Sequence, residues 1–298
     1  MKIVVLGANG MLGHKMFQTL HKYYPDTVGT LRSEPLGITH SFIQLYPTDT
    51  FCIGLDVMEI KDLQNFLNNL RPDYIVNCIG IIKQLPAAKE AIPSIMINSL
   101  LPHLLADWTN AWGGRLIHFS TDCIFSGKKG DYSEHDLSDA EDLYGKTKYL
   151  GEVQQDNALT LRTSIIGREL SGFHSLLEWF LSQDGNTVGG FVNAIYSGVT
   201  TNYLSQLVLK IINEIQFLRG LYHIAATPIS KYDLLNKIKQ YYHLNVNIEP
   251  SYGFQCDRSL NGNAFEESTG LPIIDWDSLL SELVSDTTPY SKWRKNDQ

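Results

Sequence analysis

The chain has 298 residues, 43% hydrophobic and 19% charged, an ordinary globular composition with enough apolar material for one large core or two modest ones. Its 24 Lys and Arg against 32 Asp and Glu leave a formal charge of −8, which supplies no basic footprint for a phosphate backbone and argues against nucleic acid as a partner. Apolar runs such as IVVL are too short to cross a bilayer, and the four cysteines, Cys52, Cys78, Cys123 and Cys256, have no CxxC spacing and are too sparse for a disulfide scaffold. The first residues enter a strand without a cleavable signal pattern, so no membrane association and a cytoplasmic location are expected.

In chain order, KIVVLG reads as a strand, MLGHKMFQTLHKYY as a helix, TVGTL as a strand and FCIGLD as another. EIKDLQNFLNNL follows as a helix, DYIVNCIG as a strand, 94–112 as a helix and RLIHFS as a strand. Strands apolar on both faces and separated by helices predict a parallel sheet covered on both sides, a doubly wound α/β fold. A helix over 143–155 and a strand LTLRTSIIG come next, and then the rhythm changes. FHSLLEWFLS, TTNYLSQLVLKIINEI, GLYHIAA, a helix after Ser230, NVNIEP and DWDSLLSELV predict a smaller lobe. The expected division is a dinucleotide-binding domain over 1–167 and a substrate lobe over 168–298, discontinuous because 200–226 returns to the first domain. No His/Asp/Glu cluster has ligand spacing, so no metal is expected.

GANGMLG follows the first strand at once and opens an amphipathic helix, the context in which a glycine pattern binds a dinucleotide in a Rossmann sheet. Gly7, Gly10 and Gly13 allow a sharp turn, close approach to a pyrophosphate and tight helix packing, while free N–H groups face the anion. The second strand ends in Arg32 in place of the acidic residue that holds an NAD ribose; Arg32 suits a 2′-phosphate, which favours NADPH and leaves NADH open. Asp56 and Val57 close the third strand, where the carboxylate either accepts from adenine or caps the next helix. Cys78, Ile79 and Gly80 end the fourth strand and let backbone pass close beside a cofactor.

Tyr144-Gly145-Lys146-Thr147-Lys148 sets a phenol and an ammonium on one helix face. A phenol with pKa about 10 exchanges protons poorly at neutral pH, and a nearby cation lowers that value. Thr121, in FSTDCIF at the end of the preceding strand, can donate to a carbonyl oxygen where charge develops.

Together GANGMLG, STDCIFSG, YGKTK and LRTSIIG resemble the extended short-chain dehydrogenase/reductase superfamily. STDCIFSGKKGDYSEHD with YGKTKYLGE is most similar to the dTDP-4-dehydrorhamnose reductases, which reduce the 4-keto group of a nucleotide-bound deoxysugar with NAD(P)H. The resemblance implies Tyr144 as catalytic acid, Lys148 on the nicotinamide ribose and Thr121 on the keto oxygen. It implies Gly7, Asn9, Gly10, Met11 and Leu12 on the pyrophosphate, Asp56 and Val57 on adenine, and Cys78, Ile79 and Gly80 on the ribose side. Ser120, Asp122 and Ile165 would face the substrate, and Arg258 its diphosphate, although the proline usual after that arginine is absent; the segment GIIKQ departs from the family pattern and is expected to send Lys83 toward the pocket mouth. The family usually has tyrosine at Cys123 and an aromatic residue at Ile165, so the sugar pocket is altered. In similar GDP-fucose synthases a cysteine at the Cys123 position works with a histidine, here His174, to epimerise before reduction. Three readings stay open: a reductase of a nucleotide-activated 4-keto-6-deoxysugar for surface polysaccharide precursors, an epimerase-reductase, and a non-catalytic NADP-binding subunit. A homodimer is compatible with each.

Overall fold

In the computed structural model the described residues are 1–82, 89–171, 175–215 and 218–295. Strand β1 (Ile3–Leu6) is wholly buried. Alternation sends Ile3 and Val5 into one core and Val4 and Leu6 into another, as a strand with helices on both faces requires. Helix α1 (Met11–Tyr23), β2 (Val28–Leu31), α2 (Gly37–Ile43), β3 (Phe51–Ile53), α3 (Ile60–Leu70) and β4 (Tyr74–Asn77) continue the winding.

The helix predicted over 94–112 is instead composite. Helix α4 (Ala91–Ser94) passes through a π-helical stretch, Ile95–Leu100, into α5 (Leu101–Ala111). Strand β5 (Arg115–Thr121), α6 (Leu143–Leu150) and β6 (Ala158–Thr163) follow. The expected helix over 143–155 stops at Leu150 because Gly151 meets the π stretch: a Cβ there would lie 1.9 Å from the Asn98 carbonyl oxygen.

LTLRTSIIG, predicted as one strand, breaks at Ser164. Beyond it, β7 (Ile165–Ile166) leaves the sheet and is followed by α7 (Leu176–Leu181), β8 (Thr187–Phe191), β9 (Ala194–Tyr196) and β10 (Val199–Thr200), with β7 pairing β10. Helix α8 (Thr201–Glu214) shares the core of α1, and β11 (Gly220–His223) pairs with β6. The central sheet is thus seven parallel strands in the order β11-β6-β5-β4-β1-β2-β3, the doubly wound α/β fold.

The smaller lobe contains β12 (Ile229–Ser230), α9 (Lys231–Tyr241), β13 (Asn247–Ser251), β14 (Cys256–Asp257), α10 (Asn263–Thr269), α11 (Trp276–Val284) and α12 (Tyr290–Lys295). Strand β13 pairs with β8, and β12, β9 and β14 form a three-stranded sheet. That sheet reaches the carboxyl end of β5, where Gly127 fits against Cys256 and the Tyr132 N–H donates to Ser259 O. Among the described residues no helix is long and apolar enough to cross a membrane.

Candidate active site

The turn between β1 and α1 rests on contacts that only glycine permits. Gly7 has φ +76°, and a Cβ on it would lie 2.8 Å from Ile79 Cγ1; a Cβ on Gly13 would lie 1.9 Å from Gly7 O. The Gly7 N–H donates to Thr30 Oγ1 (3.2 Å) and the Ala8 N–H to Thr30 O (3.0 Å), which pins the turn to β2. Gly10 begins α1 without a side-chain cap, so the first amides of the helix, at Met11 and Leu12, are offered to an anion. Asn9 and Gly10 are exposed and Leu12 is buried beneath them. The cradle therefore fits a pyrophosphate: its open side carries N–H groups and no Cβ at Gly10.

Cys78 and Ile79 pass directly beside Gly7. Beyond Gly80, Asn98 exchanges two bonds with Ile81, Oδ1 accepting at 2.9 Å and Nδ2 donating at 3.1 Å, and Nδ2 also reaches Thr147 Oγ1 at 3.3 Å. Asn98 is 1% exposed and ties the end of β4 to α6. Sequence reasoning missed it, although a polar residue inside the apolar run IMINSLL signals a buried group that needs partners.

Arg32, predicted to suit a 2′-phosphate, follows β2 and is exposed. The Leu55 N–H donates to Leu31 O (3.1 Å), which keeps Asp56 beside the same sheet edge. Asp56 does not close a strand, since β3 ends at Ile53, and it does not cap α3, whose N-cap position is Glu59. Its Oδ1 accepts from the Met58 N–H at 2.9 Å, in a local turn that leaves Val57 buried in the core.

Thr121 ends β5 and caps a single 3₁₀ turn, Asp122–Ile124: its Oγ1 accepts from the Cys123 N–H (3.2 Å) and donates to Asp122 Oδ1 (3.2 Å). Helix α6 meets this turn head-on. The Asp142 side chain caps it by accepting from the Gly145 N–H at 2.8 Å, and a Cβ on Gly145 would lie 2.4 Å from Cys123 O, so glycine lets the two segments touch. The half-buried Tyr144 is thereby set against Thr121. Burial pushes its phenol well above the ordinary value, Cys123, Asp122 and Asp142 add to that, and the contact with the Thr121 hydroxyl opposes it. The lowering expected from Lys148 does not prevail. Lys148 is itself 5% exposed and donates to Phe119 O at 2.6 Å; burial lowers its pKa to about 8 and Glu152 opposes the shift.

Ser120 alternates to the other face of β5. Its Oγ donates to Glu152 Oε1 (2.6 Å), which also takes Arg162 Nε (2.9 Å), while Arg162 Nη2 reaches Oε2 (2.7 Å). The Ser120 side chain, predicted to face the substrate, is engaged in this buried ion-pair network, whose Glu152 also acts on Lys148.

Cys123 has Arg258 Nη1 3.8 Å from its sulfur, and Arg258 Nε donates to Phe125 O at 2.7 Å. Burial pushes the Cys123 thiol up to about 12, Asp122 adds to the rise and Arg258 opposes it. Burial likewise raises the pKa of Asp122, against Arg258 and Lys231. Lys231, at the start of α9, lies 3.8 Å from the Tyr196 ring centroid and feels Asp122 and Cys123. No sequence signal marks it, since a lone lysine at a helix start is ordinary. Ile165 is half-buried in β7 just beyond Thr163. Lys83 and His174 lie outside the described residues.

The chain is similar to known proteins over most of its length. Spore coat polysaccharide biosynthesis protein SpsK of Bacillus subtilis (strain 168) is 24% identical over 301 residues, which cover 96% of this chain and 97% of that protein. The dTDP-4-dehydrorhamnose reductase of Aggregatibacter actinomycetemcomitans is 25% identical over 78% of this chain and 76% of its own length. The solved dTDP-4-dehydrorhamnose reductase of Bacillus anthracis str. Ames, in complex with NADP, shares the fold at TM-score 0.77 and 22% identity, covering 95% of this chain and 98% of that one. A family model described as RmlD substrate binding domain matches residues 1–287, nearly the whole chain, and this protein belongs to that family.

Proposed function

We propose that the protein is an NADPH-dependent reductase of the 4-keto group of a nucleotide-activated 6-deoxysugar, acting in surface polysaccharide precursor synthesis. The observation that carries this reading is the meeting of Thr121, Tyr144 and buried Lys148 at the end of β5, on the sheet edge that also holds the glycine turn. NADPH, when bound, supplies the hydride. Met11 and Leu12 would take its pyrophosphate and Arg32 its 2′-phosphate. Lys148 spends one of its three N–H donors on Phe119 O and has two left for ribose hydroxyls.

The Thr121 hydroxyl, with Asp122 as its resting acceptor, would turn to the keto oxygen and stabilise the charge that grows there. Tyr144, kept protonated by its raised pKa, would give its proton to that oxygen as the carbon receives the hydride, so the carbonyl becomes a secondary alcohol. Arg258 and Lys231 stand close to the same turn and suit an anionic diphosphate. The names of the relatives, a polysaccharide biosynthesis protein and a dehydrorhamnose reductase, support the substrate class.

Purified protein is expected to oxidise NADPH with at least one member of a panel of nucleotide 4-keto-6-deoxysugars. Silence across the panel would sink the proposal, and tight cofactor binding with no turnover would favour a non-catalytic subunit. Epimerisation before reduction draws no support from Cys123, since a thiol pushed up to about 12 is a poor base near neutrality. Reaction in deuterated water is expected to leave C3 and C5 of the product unlabelled; label there, lost in Cys123→Ser, would restore the epimerase-reductase.

A further inference from the structure

His14 is fully buried one residue beyond the glycine turn, where neither anion binding nor proton transfer calls for an imidazole. Its Nδ1 lies 2.9 Å from Gly10 O and its Nε2 2.6 Å from the Tyr290 hydroxyl. Burial lowers its pKa to about 4, so the ring is neutral and carries one proton. A carbonyl only accepts, which puts that proton on Nδ1 and makes Nε2 the acceptor for the Tyr290 O–H. Gly10 O therefore receives two donors from one residue, the His14 backbone N–H at 3.0 Å and the ring. In a planar trans peptide the C=O and the following N–H point in opposite directions. A Gly10 carbonyl drawn down into α1 consequently aims the Met11 N–H outward, toward the place of the anion.

Tyr290 reaches His14 because segment 286–294 grips α1 and the smaller lobe together. Lys15 pairs with Asp286 at 2.9 Å, with side chains 9% and 7% exposed, and donates to Thr288 Oγ1 at 3.2 Å. Trp293 packs edge-on against Phe42. Arg294 donates to Glu178 Oε2 (2.6 Å) and Glu169 O (2.8 Å), and Glu178 also holds Arg168 (2.8 Å), whose guanidinium lies 4.7 Å from the Tyr290 ring centroid. Tyr290 lies beyond residue 287, where the family match ends.

We propose that His14 and Tyr290 are positioning residues for the dinucleotide's pyrophosphate: they fix the angle of the Gly10–Met11 peptide, and segment 286–294 thereby sets cofactor affinity. This rests on the glycine turn being the dinucleotide site of the proposed reductase. The test compares binding of NADPH, of 2′-phospho-ADP-ribose, which keeps the pyrophosphate, and of adenosine 2′-monophosphate, which lacks it.

Tyr290→Phe retains the ring packing and is expected to weaken the first two about fivefold to tenfold, as loss of one hydrogen bond does, and the third less than twofold. KM for NADPH should rise by more than kcat falls. The double variant Tyr290→Phe/His14→Phe should bind NADPH no more weakly than His14→Phe alone, because both changes cut one relay. Unchanged NADPH affinity in folded Tyr290→Phe, equal losses for all three ligands, or additive losses in the double variant would overturn the proposal. Wild-type protein that binds no NADPH would instead remove the dinucleotide reading beneath it, and this inference with it.

Discussion

As the acid of the proposed reduction, Tyr144 would have to hold a proton at neutral pH and release it only when the keto oxygen becomes basic, and its raised pKa would serve the first need. Tyr144→Phe is expected to lower kcat by about 10²- to 10⁴-fold, the usual reach of a positioned proton donor, with NADPH affinity nearly unchanged in a direct titration. In the proposed mechanism Lys148 would set a pH limit. Burial brings its pKa down to about 8, so the ammonium is present below that value and lost as pH rises through it. The kcat/KM profile should fall above about pH 8, and Lys148→Met should lack that limb while being slower throughout. The residue types at this site could be read from FSTDCIF and YGKTK. Their protonation states could not, because burial sets them: the same Cys123 in solvent would be a better base than this one at about 12.

Periodicity located the helices and strands of the sheet, and its failures fall where tertiary contacts overrule local pattern. The pattern predicts an unbroken helix over 94–112, yet the chain widens into a π stretch that brings Asn98 to Ile81 and Thr147. The helix predicted to 155 ends at Leu150 because Gly151 lies against Asn98 O. Gly151→Ala would force these segments apart and is expected to cost about 1–3 kcal/mol in a urea melt. Asn98→Ala leaves the Ile81 N–H and carbonyl without their partner, at about 1–3 kcal/mol for each buried group so stranded. Cofactor affinity should fall in both variants, since the same contacts hold the end of β4 beside α6. LTLRTSIIG gives no sign of its break at Ser164, because Ile165 and Ile166 keep strand propensity and merely change partners, from the main sheet to β10.

At the scale of the whole molecule, apolar strands buried on both faces made the doubly wound sheet legible, and GLYHIAA rejoins it as β11. The smaller lobe was harder to read. Its short strands β12, β9 and β14 carry little pattern, and what they bring to the site, Lys231 and Arg258, depends on their pairing rather than on local sequence. The clamp of segment 286–294 on α1 rests on contacts some 270 residues apart in sequence, which no local pattern announces. Burial of neutral histidines also makes a global prediction. His14 and His223 have pKa values lowered to about 4 and about 3. The unfolded chain therefore binds more protons than the folded one between the ordinary histidine value, about 6.5, and those values, so stability falls as pH drops through that window. His14 alone is expected to account for about 3 kcal/mol between pH 7 and pH 4. Urea melts across that range should show the decline, shallower in His14→Gln.

The most direct measurement follows the hydride itself. NADPH doubly deuterated at the nicotinamide C4 is supplied with a nucleotide 4-keto-6-deoxysugar, and the product is read by proton NMR. Reduction at C4 assisted by Tyr144 predicts deuterium at C4 of the sugar with wild-type protein and little product with Tyr144→Phe. Product carrying no deuterium at C4, or formed equally fast by Tyr144→Phe, would contradict it.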